Sequence, residues 1–172
     1  MKKPYSLIRL YGSKETKMNI DFIKKVKIFD TLEDSEAEKV LSLIKIKELI
    51  KGDIVFNEGD MDSTIYIVEE GRVKVIHEIS PKESKTLATL TKYDVFGELA
   101  IFDSSPRSAT VMAADITRLC VIKSDEFLDL LNSDNNIAAK VYKEIIIEVA
   151  DRLRRANEKL QDNITWGLTA NL

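Results

Sequence analysis

One cysteine, one histidine and one tryptophan in 172 residues leave little material for covalent or metal chemistry. A lone Cys120 cannot close an internal disulfide, and between Leu119 and Val121 it reads as a buried strand residue. One His and one Cys are too few to assemble a zinc site or an iron–sulfur cluster. His77 sits in a strand pattern, far from any Gly-x-Ser-x-Gly elbow, so no catalytic residue and no metal ligand is assigned. No run approaches the ~20 apolar residues needed to span a bilayer, and the opening Met-Lys-Lys-Pro-Tyr-Ser lacks an apolar signal core. A cytoplasmic protein without a membrane anchor is expected. The formal net charge of -3 gives no general attraction to nucleic acid.

What is present suits one globular unit. Hydrophobic residues make up 44% of the chain and charged residues 32%, enough to bury a core and solvate its surface. Residues 1–18 mix charges with Pro4 and Gly12 and show no sustained period, which predicts an irregular arm. The single domain expected over 19–172 begins with short amphipathic helices at 19–27 and 33–44. From 46 to 122 the pattern changes to short runs rich in Val, Ile, Thr and Leu, divided by glycines or by clusters such as Ser80-Pro81-Lys82-Glu83-Ser84. That spacing predicts an antiparallel sandwich or barrel, giving a mainly β fold with flanking helices. Ser124 is placed to cap a helix over 124–131, and a long helix is expected over about 134–161. Along it Tyr142, Ile146, Val149, Leu153, Ala156 and Leu160 recur at steps of four and three, a narrow apolar seam bordered by Glu148, Asp151, Arg152 and Arg155. A seam so narrow calls for a partner helix, although packing on its own barrel would account for part of it.

Residues 96–110, Phe-Gly-Glu-Leu-Ala-Ile-Phe-Asp-Ser-Ser-Pro-Arg-Ser-Ala-Thr, carry the groups needed to grip a ribose and a cyclic phosphate. Gly97 can adopt a positive φ and admit a ligand to the main chain, and the run 99–102 can form one helical turn whose free amides favour an anion. Arg107 can fork onto two phosphate oxygens, with Ser108 as a further donor. Glu98 is an acceptor only, so beside a phosphate its sense is to receive a ribose hydroxyl. Pro106 biases Ser105 towards extended backbone and so helps aim Arg107. An ordinary solvated Arg–Glu pair is the bland alternative, and it gives no reason for so many matched ligand roles in one loop.

This stretch resembles the phosphate-binding cassette of the cyclic nucleotide-binding domain family. Lys51-Gly52-Asp53 with Phe56, Glu58-Gly59-Asp60, Ile65-Tyr66-Ile67-Val68 and Gly71-Arg72-Val73-Lys74-Val75 are similar to the family's glycine-punctuated strands, in the same order. The resemblance covers roughly 28–160 and implies a jelly-roll type β-roll followed by a long C-terminal helix. It implies a cyclic mononucleotide as ligand, cyclic AMP favoured over cyclic GMP, with Gly97, Glu98, Leu99, Ala100, Arg107, Ser108 and Ala109 as the contact set. Val75, Leu87 and Phe96 occupy positions similar to those lining the base, and Asn157 offers it a donor and an acceptor; each is equally at home as core or as exposed surface. No cofactor is implied.

In the family's transcription regulators the long helix pairs with its twin, so a homodimer is expected. Those regulators continue into a helix-turn-helix for which this chain leaves no room, so direct DNA binding is not expected and the output falls to a separate effector protein. Ligand binding is expected to draw the cassette inwards, with Leu99 and Ile101 repacking and the long helix reorienting. Arg107→Ala is expected to remove most of the phosphate grip while leaving the fold largely intact. The alternatives are a dimerisation scaffold of the same fold or a sensor of another small effector.

Overall fold

A computed structural model describes residues 19–80, 83–99, 102 and 105–169. The arm 1–18 and the positions of Ala100 and Ile101 lie outside the described residues. The chain enters through a four-residue helix α1 (Ile20–Ile23), capped by the Asn19 side chain, and a 3-10 turn Lys27–Phe29. The continuous helix expected over 19–27 is broken because Val26 is extended, at φ -81° and ψ 120°. The break lets Ile23, Val26, Ile28 and Phe29 all turn inwards, which no single face of a short helix could do. Helix α2 (Asp34–Leu43) starts with a reciprocal capping box between Glu33 and Glu36.

Eight strands follow: β1 (Lys45–Leu49), β2 (Ile54–Phe56), β3 (Ile65–Glu70), β4 (Val73–Ser80), β5 (Glu83–Leu90), β6 (Val95–Phe96), β7 (Thr110–Ala113) and β8 (Thr117–Ile122). They form two antiparallel four-stranded sheets in the orders β1-β8-β3-β6 and β2-β7-β4-β5, the β-roll that the family resemblance implies. The first sheet is covered on both faces. Ile65, Ile67, Val95, Cys120 and Ile122 face a core built with the helices, while Tyr66, Val68, Phe96 and Leu119 face the interior of the roll. This is why β3 is buried over five consecutive residues instead of alternating. Cys120 is fully buried, and burial pushes its thiol up to about 12, so it is inert at neutral pH.

Helix α3 (Ser124–Ser133) and the long helix α4 (Asn135–Thr169) close the chain. Ser124 is the first residue of α3 and not its cap; Lys123 holds that position without a side-chain bond, and the Asp125 carboxylate accepts from the Glu126 amide at 2.9 Å. Asp134 caps α4 through the Asn136 and Ile137 amides, at 3.1 and 3.2 Å. The helix runs eight residues beyond the expected end. Its buried stripe is Ile137, Ala138, Val141, Glu144 and Ile145, tied down by Lys140 to Glu36 at 2.6 Å. The seam read from the sequence is a different stripe: Ile146 and Leu153 are 67% and 61% exposed, and Tyr142 and Val149 lie on the same open side. The Leu160 side chain lies outside the described ones.

Phe127 is fully buried and meets Phe29 edge-on, with ring centroids 6.0 Å apart, joining α3 to the entry turn. Phe127→Ala should cost about 3–5 kcal/mol of stability, read as a fall in the urea midpoint at unchanged slope.

Candidate functional site

The cassette is assembled around a buried guanidinium. Arg107 precedes β7, and its side chain is only 2% exposed. Its Nη1 donates to the Gly97 carbonyl at 3.0 Å, and its Nη2 donates to the Thr64 carbonyl at 2.7 Å and to Asp62 at 3.1 Å. The guanidinium carbon stands 4.2 Å from the centroid of Phe56, over a floor in which Phe56, Tyr66 and Phe96 pack ring to ring. The main chain is held as firmly: the Arg107 amide donates to the Asp60 carbonyl at 2.9 Å, and the Gly59 amide donates to the Arg107 carbonyl at 2.8 Å. After all this, the Arg107 Nε is buried with no hydrogen-bond partner among the described residues. An orphaned donor on a charged group is costly, and an anionic oxygen is what would satisfy it.

Gly97 makes this arrangement sterically possible. It has φ 79°, and a Cβ there would run into the Arg107 guanidinium and lie 2.8 Å from the Thr64 carbonyl oxygen. Both demands, the left-handed backbone and the close approach, select glycine.

Asp62 and Thr64 escaped the sequence reading because no spacing marks them. The Thr64 hydroxyl donates to Asp62 at 2.7 Å, and the Tyr66 hydroxyl reaches the same carboxylate at 3.3 Å. Burial would raise the Asp62 carboxyl, but the hydrogen bonds from Thr64 and Arg107 and the guanidinium charge hold it below the usual range. Tyr66 is pushed up to about 12 by burial and by the Asp62 charge, so it remains a neutral phenol.

Glu98 is 3% exposed, and Arg152 of α4 donates to its Oε1 at 2.6 Å. Burial holds its carboxyl above the usual carboxylate range, with the Arg152 charge only partly opposing the shift. Arg152 also donates to Glu148 at 2.6 Å. From the sequence Arg152 was only a border of the seam, since a charge on a long helix normally marks a solvated face. The Phe102 amide donates to the Leu99 carbonyl at 3.0 Å; the helical turn expected over 99–102 falls on residues outside the described ones at 100 and 101. The Phe102 ring meets Tyr142 of α4 edge-on at 5.7 Å.

Gly97 and Arg107 are thus in contact, and Glu98, next in the chain to Gly97, is paired with Arg152. Leu99 is half exposed beside them, Ser108 is exposed at the loop surface, and Ala109 is buried. Phe96 sits inside the aromatic floor. Val75 is half buried on β4 in register with Val111. Leu87 is the extra residue of a β-bulge in β5, between Thr86 opposite Ile76 and Ala88 opposite Val75, and it projects with about half its surface open. Asn157 is exposed on α4, five residues beyond Arg152. His77 is half exposed and paired with Glu58 at 3.0 Å. Among the described residues there is no cluster that could hold a metal ion, and no helix is long and apolar enough to cross a membrane.

A β-roll carrying this glycine, carboxylate and arginine in one loop defines a class, and comparison with known proteins gives the same answer. The model of the cyclic nucleotide-binding domain matches residues 46–134, and the chain belongs to that family. It is 33% identical over 112 residues to a cAMP-dependent protein kinase regulatory subunit of Debaryomyces hansenii, an alignment covering 64% of this chain and 24% of that protein. The catabolite activator protein of Thermus thermophilus superposes with a TM-score of 0.70 at 27% identity, over 78% of this chain and 62% of that one. The regulatory domain of Toxoplasma gondii PKA, solved with cAMP, superposes with a TM-score of 0.61 at 27% identity, over 73% of this chain and 48% of that one. The chain therefore spans less than two thirds of each of these relatives.

The expectation that Arg107 is dispensable to the fold needs correction. A side chain that bonds two carbonyls and a carboxylate from inside the roll is also structural, and Arg107→Ala should lower stability by about 1–3 kcal/mol. Gly97→Ala should be at least as damaging, because it combines backbone strain of about 1–3 kcal/mol with displacement of the guanidinium. Thermal melts of both variants against the parent check these figures.

Proposed function

We propose that this chain is a regulatory module that binds a cyclic mononucleotide, with cyclic AMP preferred to cyclic GMP, and acts by changing shape and not by catalysis. The observation that carries the reading is the buried Arg107, whose Nε lacks a partner beside Gly97 and Glu98. Arg107, Ser108 and the main chain at 97–100 would hold the cyclic phosphate, with Leu99 and Ala109 shaping the loop, and Glu98 would accept the ribose 2′-hydroxyl. Val75, Leu87, Phe96 and Asn157 are the residues available to the base. The preference for cyclic AMP is supported by the similarity to a cAMP-dependent protein kinase regulatory subunit and to a PKA regulatory domain solved with cAMP, and by Ser108 after the cassette arginine.

The output would travel through α4. Phosphate capture would draw the cassette inwards and shift Phe102 against Tyr142, altering the seat of the helix. Coupling of this kind is typically worth ~1–3 kcal/mol. The open stripe Tyr142, Ile146, Val149 and Leu153 would pair with its twin in a homodimer, and the dimer would engage a separate effector protein.

Cyclic AMP and cyclic GMP should each raise the melting temperature in proportion to the logarithm of their concentration once above Kd, with cyclic AMP the stronger. Arg107→Lys, which keeps the charge and loses the fork, should remove most of that shift while remaining folded. No shift in the parent protein would contradict the reading. Sedimentation analysis should find a dimer, and Ile146→Glu with Leu153→Glu should give a folded monomer.

A further inference from the structure

His77 is the single histidine of the chain, and β4 sets it beside the cassette. The register of β4 on β7 pairs Val75 with Val111 and Ile76 with Thr110, and one step further brings His77 across from Ala109. By strand alternation His77 shares the face of Val73 and Val75, where Val111 and Phe56 line the interior of the roll and the Arg107 guanidinium lies over Phe56. The loop after β2 closes the same corner. There the Glu58 amide donates to the Thr110 hydroxyl at 3.0 Å, the Gly59 amide donates to the Arg107 carbonyl, and the Glu58 carboxylate meets His77 Nδ1 at 3.0 Å.

That last contact decides which nitrogen titrates. An ionised carboxylate only accepts, so Nδ1 carries a proton in both charge states and Nε2 alone gains or loses one. Neutral Nε2 is an acceptor and repels a phosphate oxygen; protonated, it is a donor on a cation. The side chain is 48% exposed with its Nδ1 edge turned to Glu58, which leaves the Nε2 edge to solvent or a ligand. The site has no other cation to spare: Arg107 is matched by Asp62 at 3.1 Å, and Arg152 by Glu98 and Glu148 at 2.6 Å each. The remaining charges around His77 are exposed Lys85, opposite it on β5, with Glu78 and Lys74 on the far face of β4.

We propose that His77 is a ligand-facing residue of the site: with the nucleotide bound, protonated Nε2 donates to the cyclic phosphate beside Arg107, Ser108 and Ala109, so that binding takes up a proton. This role rests on the nucleotide-binding reading and adds to it a dependence on pH. The gain in affinity is fully present below the titration midpoint of the free protein and is lost as pH rises through the higher midpoint of the complex. Reciprocally, bound nucleotide holds the proton on His77.

Because the chain has one histidine, its imidazole signal can be followed by NMR without ambiguity. The His77 midpoint should move to higher pH when the whole chain is saturated with cyclic AMP. Calorimetry should find cyclic AMP bound about threefold to tenfold more tightly at about pH 6 than at about pH 8, the range of a partly exposed charge-assisted hydrogen bond. His77→Gln, polar but never charged, should bind within about threefold of the parent at the higher pH and lose the pH dependence. A midpoint that stays or falls on binding overturns the proposal. The same pH dependence in His77→Gln overturns it too, by assigning the proton to another group such as Glu98. Absence of binding at either pH contradicts the nucleotide-binding reading and the proposal together, an outcome distinct from binding without proton uptake.

Discussion

The site depends on burying one guanidinium without leaving it in water. Arg107 meets the carbonyls of Gly97 and Thr64, the carboxylate of Asp62 and the face of Phe56, contacts drawn from three segments: the loop after β6, the turn before β3 and strand β2. The chain pays for that concentration of charge with polar partners on three sides, and one donor is still left over. Such a group holds the loop after β6 to the turn before β3 in the absence of ligand, yet its bonding is complete only with one more acceptor. Its structural role and its proposed binding role are therefore the same geometry, and the missing Cβ of Gly97 is the steric condition for both.

The two-sided sheet sets how far a change in that loop can reach. β3 and β6 present alternate residues to the interior of the roll and to the helical core, so Phe96 belongs to the aromatic floor while its neighbour Val95 packs with the helices. Behind them α4 is fixed at its base by Ile137, Val141 and Ile145 and by Lys140 on Glu36, with Lys39 on Asp134 at 2.7 Å. Further along, the helix meets the cassette through Tyr142 and Arg152 while its outer stripe stays open. The helix is thus anchored at its base, in contact with the cassette in its middle and open along an apolar face, the arrangement on which the proposed output rests.

Much of this was legible in the residues because local patterns carried it. The runs around 65–68 and 119–122 are apolar without interruption, as strands covered on both faces must be, and the strand region expected over 46–122 agrees with β1 to β8 within a residue at its start. Gly97, Glu98 and Arg107 could be grouped because they lie within one loop. Asp62, Thr64 and Arg152 could not, since their roles arise from the packing of distant segments, 45, 43 and 54 residues away from the groups they serve. The break in the first helix and the displaced cap at Ser124 have a similar origin: burial of Ile23, Val26, Ile28 and Phe29 together outweighed local helix preference, and Lys123 took the cap position as the chain left β8.

The central claim is that Arg107 and Glu98 divide a cyclic nucleotide between them, phosphate to one and ribose to the other. A crystal structure of the chain grown with cyclic AMP tests it most directly. The account predicts a phosphate oxygen within hydrogen-bond distance of the Arg107 guanidinium, including its Nε, and the 2′-hydroxyl on Glu98 with Arg152 still in place. A nucleotide seated elsewhere, or one in this loop whose phosphate avoids Arg107, would contradict it.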